Sequence, residues 1–415
     1  MKTGTLVEFA ALFSWTLVTF VVVLFAPSYL YPVAIATFGA VIAASLLIAW
    51  AAEASETWIS RGLALAIVAI VQTIPEYFVE GTIAWKAGID PVQWLPNAIA
   101  NFTGANRLLT GFGWPLIFFT VAIQRRRKRE PGRHAITLRK EQSVEQVFML
   151  GASLYYILIL VEGKLTILDS FVLAGVFVVY MWMLARLPLG SGEREESLKG
   201  PSLELARIRT RRGRAAAVGG LFLFGALSFV LITDSFVVSL QHIAQMFLVG
   251  LLGSGAVFFT IQWIAPVLSE FPEKVTAFNW ARRIRLAPVA LLNFISSAVN
   301  ELTALVALIP IVITISSGRI GFVPLEHQQW IEVFLTMAQS LYASVTLLDL
   351  EYDTQNAVVL LTLWIVSTAV IEARMVVAIA FIFFTVYEVV RSRGRMIAFD
   401  AFRATLREQI FRRTL

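Results

Sequence analysis

The stretch VQTIPEYFVEG, residues 71–81, places a proline and two glutamates, Glu76 and Glu80, inside an apolar run long enough to cross a membrane. The two acids are four residues apart, so a helix puts them on one face. A second stretch, VLSEFPEKVTAF at 267–278, repeats the pattern nearly two hundred residues later with Glu270, Pro272 and Glu273. A carboxylate at membrane depth costs about 2.5–3.5 kcal/mol on insertion scales. Several of them beside helix-breaking prolines, in two matched places, point to a use for the charge.

The composition says what surrounds these stretches. Of 415 residues, 58% are hydrophobic and 15% charged, and the mean hydropathy is +0.75. A soluble domain carries about 25% charged residues. The apolar residues fall in blocks of about twenty, the length that spans a hydrocarbon core, and they lack the alternation of a β-barrel. The chain reads as an all-α polytopic membrane protein. It has no cysteine, which excludes disulfides, thiolate metal sites and cysteine nucleophiles. The three histidines, His134, His242 and His327, are too dispersed for a histidine metal or haem site.

The spans are expected near 5–27, 30–52, 61–86, 92–123, 147–163, 166–187, 215–238, 247–281, 286–316, 329–348, 356–372 and 374–391, about twelve in all. The last two divide at IEAR, 371–374. The first reads as a retained helix, since it lacks a small-residue cleavage site. Basic segments fix the orientation. QRRRKREPGRHAITLRK (124–140) holds eight Lys/Arg, and the Gly/Pro/Ser-rich linker 188–214 ends in five arginines. ARRIR (281–285), RSRGR (391–395) and the tail add more. With twelve spans all of these fall on one side, so both termini are expected in the cytoplasm. The net charge of +6 thereby sets topology, and no nucleic-acid partner is expected. The expected surroundings are membrane lipid, in a prokaryotic inner membrane. The tail AFDAFRATLREQIFRRTL puts Phe399, Phe402, Leu406, Ile410 and Phe411 on one face, as a helix lying on an anionic leaflet would.

An internal repeat underlies the two Pro-Glu stretches. TIPEYFVEGTIAW (73–85) pairs with EFPEKVTAFNW (270–280), NAIANFTGANRLL (97–109) with NFISSAVNELTAL (293–305), and GASLYYILILVEG (151–163) with AQSLYASVTLLDL (338–350). The landmarks keep one order and a nearly constant offset. Under the topology above the halves run in opposite directions, an inverted repeat. In secondary transporters this places the binding site at mid-membrane on discontinuous helices of both halves. The prolines supply the discontinuity, because each withholds an N–H and frees a carbonyl oxygen.

Glu76, Glu80, Glu270, Glu273 and Glu301 all fall inside expected spans. Clustered acids are tolerable when cations neutralise them, and hard oxygen donors suit Ca²⁺ and Na⁺. Gln72, Thr73, Asn101, Asn106, Ser269, Ser297 and Asn300 extend the candidate set. Asn97 and Asn101 are four apart, as are Asn293, Ser297 and Glu301, so each half carries a polar stripe on an apolar helix. Such groups also serve simply to glue helices together. Lys274 and Arg107 are unusual at a cation site; neutralising Glu270 or Glu80 is the expected use.

These residues resemble the Ca²⁺/cation antiporter superfamily, the sodium/calcium exchanger-like proteins. That family carries a Thr-Ser-x-Pro-Glu motif in each repeat, followed by a helix rich in Gly, Asn and Ser. Here the first slot reads Gln72-Thr73-Ile74-Pro75-Glu76 and the second Ser269-Glu270-Phe271-Pro272-Glu273. The resemblance covers about 30–372 and implies two inverted five-helix repeats, 30–187 and 215–372. One extra helix stands at each end, 1–29 and within 373–415. It implies ion ligation by Glu76 and Glu273, with Gln72, Thr73, Ser269 and Glu270 beside them. Ser297 and Glu301, and Asn101 and Asn106, would fill the second motif's positions. The implied function is secondary antiport of Ca²⁺, or another divalent cation, against Na⁺, with no cofactor and no enzymatic activity. The Glu-His pair of the Ca²⁺/H⁺ branch is absent, which favours Na⁺. Exchange against H⁺ in the same fold is the alternative, and a cation channel or non-transporting partner protein is the alternative of another class.

Overall fold

A computed structural model describes residues 3–55, 73–129, 135–187, 200–392 and 396–411. Helices stand at all twelve expected spans, the third described only from Thr73 onward. Among the described residues eight helices are long and apolar enough to cross a membrane, and Ala256–Ser269 and Thr354–Ala369 are shorter apolar helices. The chain is all-α; among the described residues four three-residue strands are confined to loops. The expected split at 371–374 is present: the helix ends at Ala369, a 3₁₀ turn covers Ile371–Ala373, and a new helix starts at Arg374.

The first half comprises α1 (Thr3–Phe25), α2 (Leu30–Ser55), α3 (Ile74–Ile89), α4 (Pro91–Leu108), α5 (Trp114–Lys128), α6 (Ser143–Glu162) and α7 (Ile167–Arg186). A short α8 (Gly200–Ala206) lies in the expected linker, of which 188–199 falls outside the described residues. The second half comprises α9 (Arg211–Ile243), α10 (Ala256–Ser269), α11 (Phe271–Ala281), α12 (Ala287–Asn300), α13 (Val306–Ser317), α14 (His327–Thr346), α15 (Thr354–Ala369) and α16 (Arg374–Arg391). The tail forms α17 (Ile397–Thr405).

Local chemistry sets the ends. Asp90 caps α4 by accepting from the Gln93 amide at 3.4 Å, with Pro91 at the first helical position. Gly163 and Gly318 stop α6 and α13 in the left-handed conformation, φ +66° and +67°. Thr166 and Asp169 form a reciprocal capping box at the start of α7.

The helices form two compact units that interleave in sequence, 1–83 with 188–273 and 84–187 with 274–415. The division falls inside α3 and α11, so each unit takes part of each repeat half. In the first unit α2 is buried along most of its length, with Ala40, Ala44, Ala51 and Ala52 all at 0% exposure. Small residues let helices approach closely where the hydrophobic effect supplies no driving force. Gly225 of α9 meets Ile48 so closely that an added Cβ would lie 2.5 Å from its side chain.

In the second unit two antiparallel strand pairs tie loops of the two halves. Ala135–Thr137 pairs with Glu351–Asp353, and Lys164–Thr166 pairs with Phe322–Pro324. The two loops of each pair therefore emerge at the same end of the unit, and α6 and α14 run between the two pairs. The tail helix docks here through small residues, Ala398, Ala401 and Thr405, while Phe399 and Phe402 are half-buried. The Ala398 amide donates to the Leu348 carbonyl at 2.9 Å. The face α17 buries against the protein is thus its small-residue face, and the aromatic residues stay partly exposed.

Candidate cation site

In the first unit both Pro-Glu stretches stand in the first turn of a helix, and the second follows a break between two helices. α10 ends at Ser269, Glu270 takes a non-helical conformation (φ −97°, ψ 6°), and α11 begins at Phe271 with Pro272 second. In the first half Thr73 is a turn residue and α3 begins at Ile74 with Pro75 second. Proline is tolerated in a first turn, where its missing N–H would have no helical partner. The break exposes the Ser269 carbonyl, and the Ser45 hydroxyl of α2 donates to it at 3.3 Å. The geometry brings the two corners together: a carboxylate oxygen of Glu76 and one of Glu270 lie within 4.8 Å of each other. Glu76, Glu80, Glu270 and Glu273 are 2%, 0%, 4% and 5% exposed, and Thr73 and Ser269 are equally buried. Two carboxylates this close, out of water, suit a bound cation or proton better than double ionisation in an empty site. Gln72 lies outside the described residues.

In the second unit the polar stripes of the two halves meet. The Asn106 amide nitrogen donates to the Ala298 carbonyl at 3.4 Å, which joins α4 to α12 next to Ser297. Asn97, Asn101, Asn106, Ser297, Asn300 and Glu301 are all buried. Each stripe runs into a π-helical turn, Leu109–Gly113 after Asn106 and Glu301–Leu305 beginning at Glu301 itself. Such turns are rare and concentrate at functional sites, because the widened turn redirects side chains. Gly113 sits in the first one where a Cβ would come 2.7 Å from the Phe294 ring. The Tyr156 hydroxyl donates to the Leu302 carbonyl inside the second at 3.1 Å.

Helix α14 contributes what the sequence reading missed. Glu332, Thr336, Gln339, Ser340 and Ser344 form a buried polar seam along it, none above 1% exposure. The Ser340 hydroxyl donates to Asn106 Oδ1 at 2.6 Å and so sets the amide's orientation. The Gln339 amide donates to the Arg107 carbonyl at 3.0 Å and to the Thr110 hydroxyl at 2.6 Å, bracing the first π-turn. Arg107 pairs with Glu332 at 2.6 Å, and Glu332 also accepts from Arg374. Arg107 therefore has a carboxylate partner in its own unit, not foreseen from sequence. Ser340 could have been found, because it aligns with Ser153 in the third repeat landmark. Glu332 carried no such signal.

The comparisons with known proteins follow from this geometry. The family model described as sodium/calcium exchanger protein matches residues 28–186. The crystal structure of an H⁺/Ca²⁺ exchanger, CAX, superposes with a TM-score of 0.87 at 31% identity, covering 97% of each chain. The chain belongs to the Ca²⁺/cation antiporter superfamily. As a member it is an integral membrane cation antiporter. Its fold is shared at greater distance by the sodium-calcium exchanger NCX_Mj, at TM-score 0.51 and 15% identity, covering 80% of this chain and 94% of the other. YfkE shares it as well, at TM-score 0.53 and 12% identity over 91% and 99%. A search of curated proteins by sequence finds no match.

Proposed function

We propose that this antiporter exchanges Ca²⁺ for protons at a carboxylate site drawn from both repeat halves. Glu76, Glu270 and Glu273 supply the charge, with Glu80 behind Glu76 on the same helix face. Thr73 and Ser269, each just before a Pro-Glu helix start, and Gln72 by its place in the sequence, add oxygens. In the second unit Asn101, Asn106, Ser297, Asn300 and Glu301 are proposed as cation ligands on the stripes. The observation that carries the reading is the approach of Glu76 to Glu270 within 4.8 Å, away from water. Oxygen-only donors suit a hard cation, and carboxylates bind a proton in its place. Occupancy by one or the other is mutually exclusive, which couples the two fluxes. An empty, doubly charged site resists reorientation, while either load permits it.

The relative at 31% identity over nearly its whole length is described as an H⁺/Ca²⁺ exchanger, and this supports the proton as counter-ion. Na⁺ is the second reading, favoured by the sequence: no histidine accompanies the Pro-Glu motifs, and His242 and His327 are exposed. No resident cofactor and no enzymatic chemistry are part of the proposal. Cytoplasmic termini in a prokaryotic inner membrane, from the basic loops, complete it. The test is radiolabelled Ca²⁺ uptake into proteoliposomes. Uptake driven by a pH gradient without Na⁺ supports proton coupling; uptake that requires a Na⁺ gradient transfers the reading to Na⁺. Glu76→Gln and Glu273→Gln are expected to abolish it in either case.

A further inference from the structure

Far from the exchange site, the tail helix α17 and the end of α7 leave one surface of the second unit unused. α17 docks on α6 and on the turn Lys140–Gln142 where α6 begins. α6 leaves that end of the unit and α7 packs back along it, so Arg186, in the last turn of α7, stands on the tail's side. The turn Leu406–Phe411, which continues α17, packs against α7. The side chains of α17 sort around its axis at about 100° per residue. Ala398, Ala401 and Thr405 are buried against the protein. Phe402, Leu406 and Phe399 come next, all partly buried. Arg403 and Arg407 follow, one turn apart and exposed, and beyond them Asp400 and Glu408. Apolar, then cationic, then anionic is the order met on passing from hydrocarbon through headgroups to water.

Helix α7 sets the level. Val178, Val179 and Trp182 form an exposed apolar stripe on it, as a lipid-facing surface would. The stripe ends at Trp182, 42% exposed, and the Arg186 guanidinium lies over that indole, 4.4 Å from the ring centroid. A tryptophan and an arginine closing a membrane helix mark the headgroup level. The aromatic face of α17 therefore reaches the membrane at the height of Trp182. Among the described residues no ion pair engages Arg403 or Arg407.

We infer that Arg186, Arg403 and Arg407 form a site for the headgroup of an anionic phospholipid, with Trp182, Phe402 and Leu406 against its acyl chains. Charge complementarity selects the occupant. Guanidinium groups hold a phosphodiester by paired hydrogen bonds, and the apolar face beside them suits chains that a free phosphate lacks. The Ala398 amide already ties α17 to the Leu348 carbonyl in the loop after α14. A lipid bound across α7 and α17 clamps the tail to the unit that carries the polar stripes.

Native mass spectrometry of the full chain, released from detergent with phosphatidylglycerol or phosphatidylcholine added, tests it. The wild type is expected to retain phosphatidylglycerol in preference to phosphatidylcholine. Each arginine at an anionic surface is worth about fivefold in binding, so Arg403→Gln/Arg407→Gln should weaken that retention about 25-fold, and Arg186→Gln should weaken it further. Retention of phosphatidylcholine should not change. Arg403→Lys/Arg407→Lys, which keeps the charge, should restore most of the preference. Phosphatidylglycerol should raise the melting temperature of the wild type and leave that of the Gln variant unmoved, and inorganic phosphate should produce no such rise. Both arginines are exposed, so without lipid the Gln variant is expected to melt with the wild type. A wild type without the preference, or a Gln variant that keeps it, overturns the inference. A Gln variant that keeps the lipid and loses a dimer also overturns it, and makes this face a contact with a second copy. These outcomes are independent of which cations the protein exchanges.

Discussion

Two groups of buried acids behave oppositely in this molecule. In the unit formed by 1–83 and 188–273, Glu76 lies against another carboxylate, Glu270. In the unit formed by 84–187 and 274–415, Glu332 lies against two arginines, Arg107 and Arg374. Both groups are sealed from solvent, and both carry the cost of a charge at membrane depth. Glu332 meets that cost with fixed countercharges, so its geometry is permanent and its role is to hold helices α4, α14 and α16 together. Glu76 and Glu270 lie beside each other, and the proposed exchange site assigns them to a cation that comes and goes. The same residue type is a rivet in one unit and a proposed ligand in the other, and the difference lies in its neighbours.

That contrast fixes what substitutions should do. The largest effect is on transport: Glu76→Gln or Glu270→Gln is expected to lower the Ca²⁺ exchange rate by at least about 100-fold, since even outer-shell changes at metal sites cost 10–100-fold. Flux in proteoliposomes measures it, and a variant exchanging at the wild-type rate would remove that carboxylate from the site. Next is Glu332→Gln, which leaves two guanidinium groups without their shared anion. It is expected to cost about 3–5 kcal/mol of stability, read as a lowered melting temperature in detergent. Ser340→Ala leaves the fold intact and releases Asn106. An increase of about tenfold in the KM for Ca²⁺, with little change in melting, is expected from the loss of a positioning hydrogen bond. The smallest effect concerns Asp349, in the loop after α14. Partial burial, with Glu351 and Asp353 close by, raises its carboxyl above the usual aspartate value of 3.8. An acid raised in the folded state destabilises that state as pH climbs from its unfolded value toward its folded one, and the penalty stays in place above. Asp349→Asn is therefore expected to raise the melting temperature slightly at neutral pH. The gain should vanish below pH about 4.

Much of this was legible in the sequence because membrane physics leaves a coarse signal. Twenty-residue apolar blocks gave the helices, and the basic loops at 124–140 and 281–285 gave them a consistent order. Pro75 and Pro272 marked two helix starts, since a missing N–H acts through its own segment and needs no knowledge of distant contacts. The stripes were readable from four-residue spacing. Contacts between distant residues were not. Arg107 stood out as an intramembrane cation, but its partner Glu332 lies 225 residues away, and nothing local announces the pairing. The interleaved units were hidden for the same reason: their division falls within α3 and α11, where the helical pattern continues unbroken. The face by which the tail docks on the protein was not legible from its aromatic residues. α17 docks through Ala398 and Ala401, because a close helix contact selects small side chains and a hydrophobic pattern highlights large ones.

Thermal unfolding of the purified protein, metal-free and with Ca²⁺ added, separates ligand from rivet most directly. If Glu76 and Glu270 are held apart from their ideal only by a mobile cation, Ca²⁺ stabilises the wild type in proportion to its occupancy. Glu76→Gln/Glu270→Gln should then melt above the wild type without metal and show no Ca²⁺ shift, while Glu332→Gln melts below the wild type and keeps its shift. A Glu76→Gln/Glu270→Gln protein that is destabilised without metal, or that retains the full Ca²⁺ shift, would contradict the assignment of these two acids to a cation site.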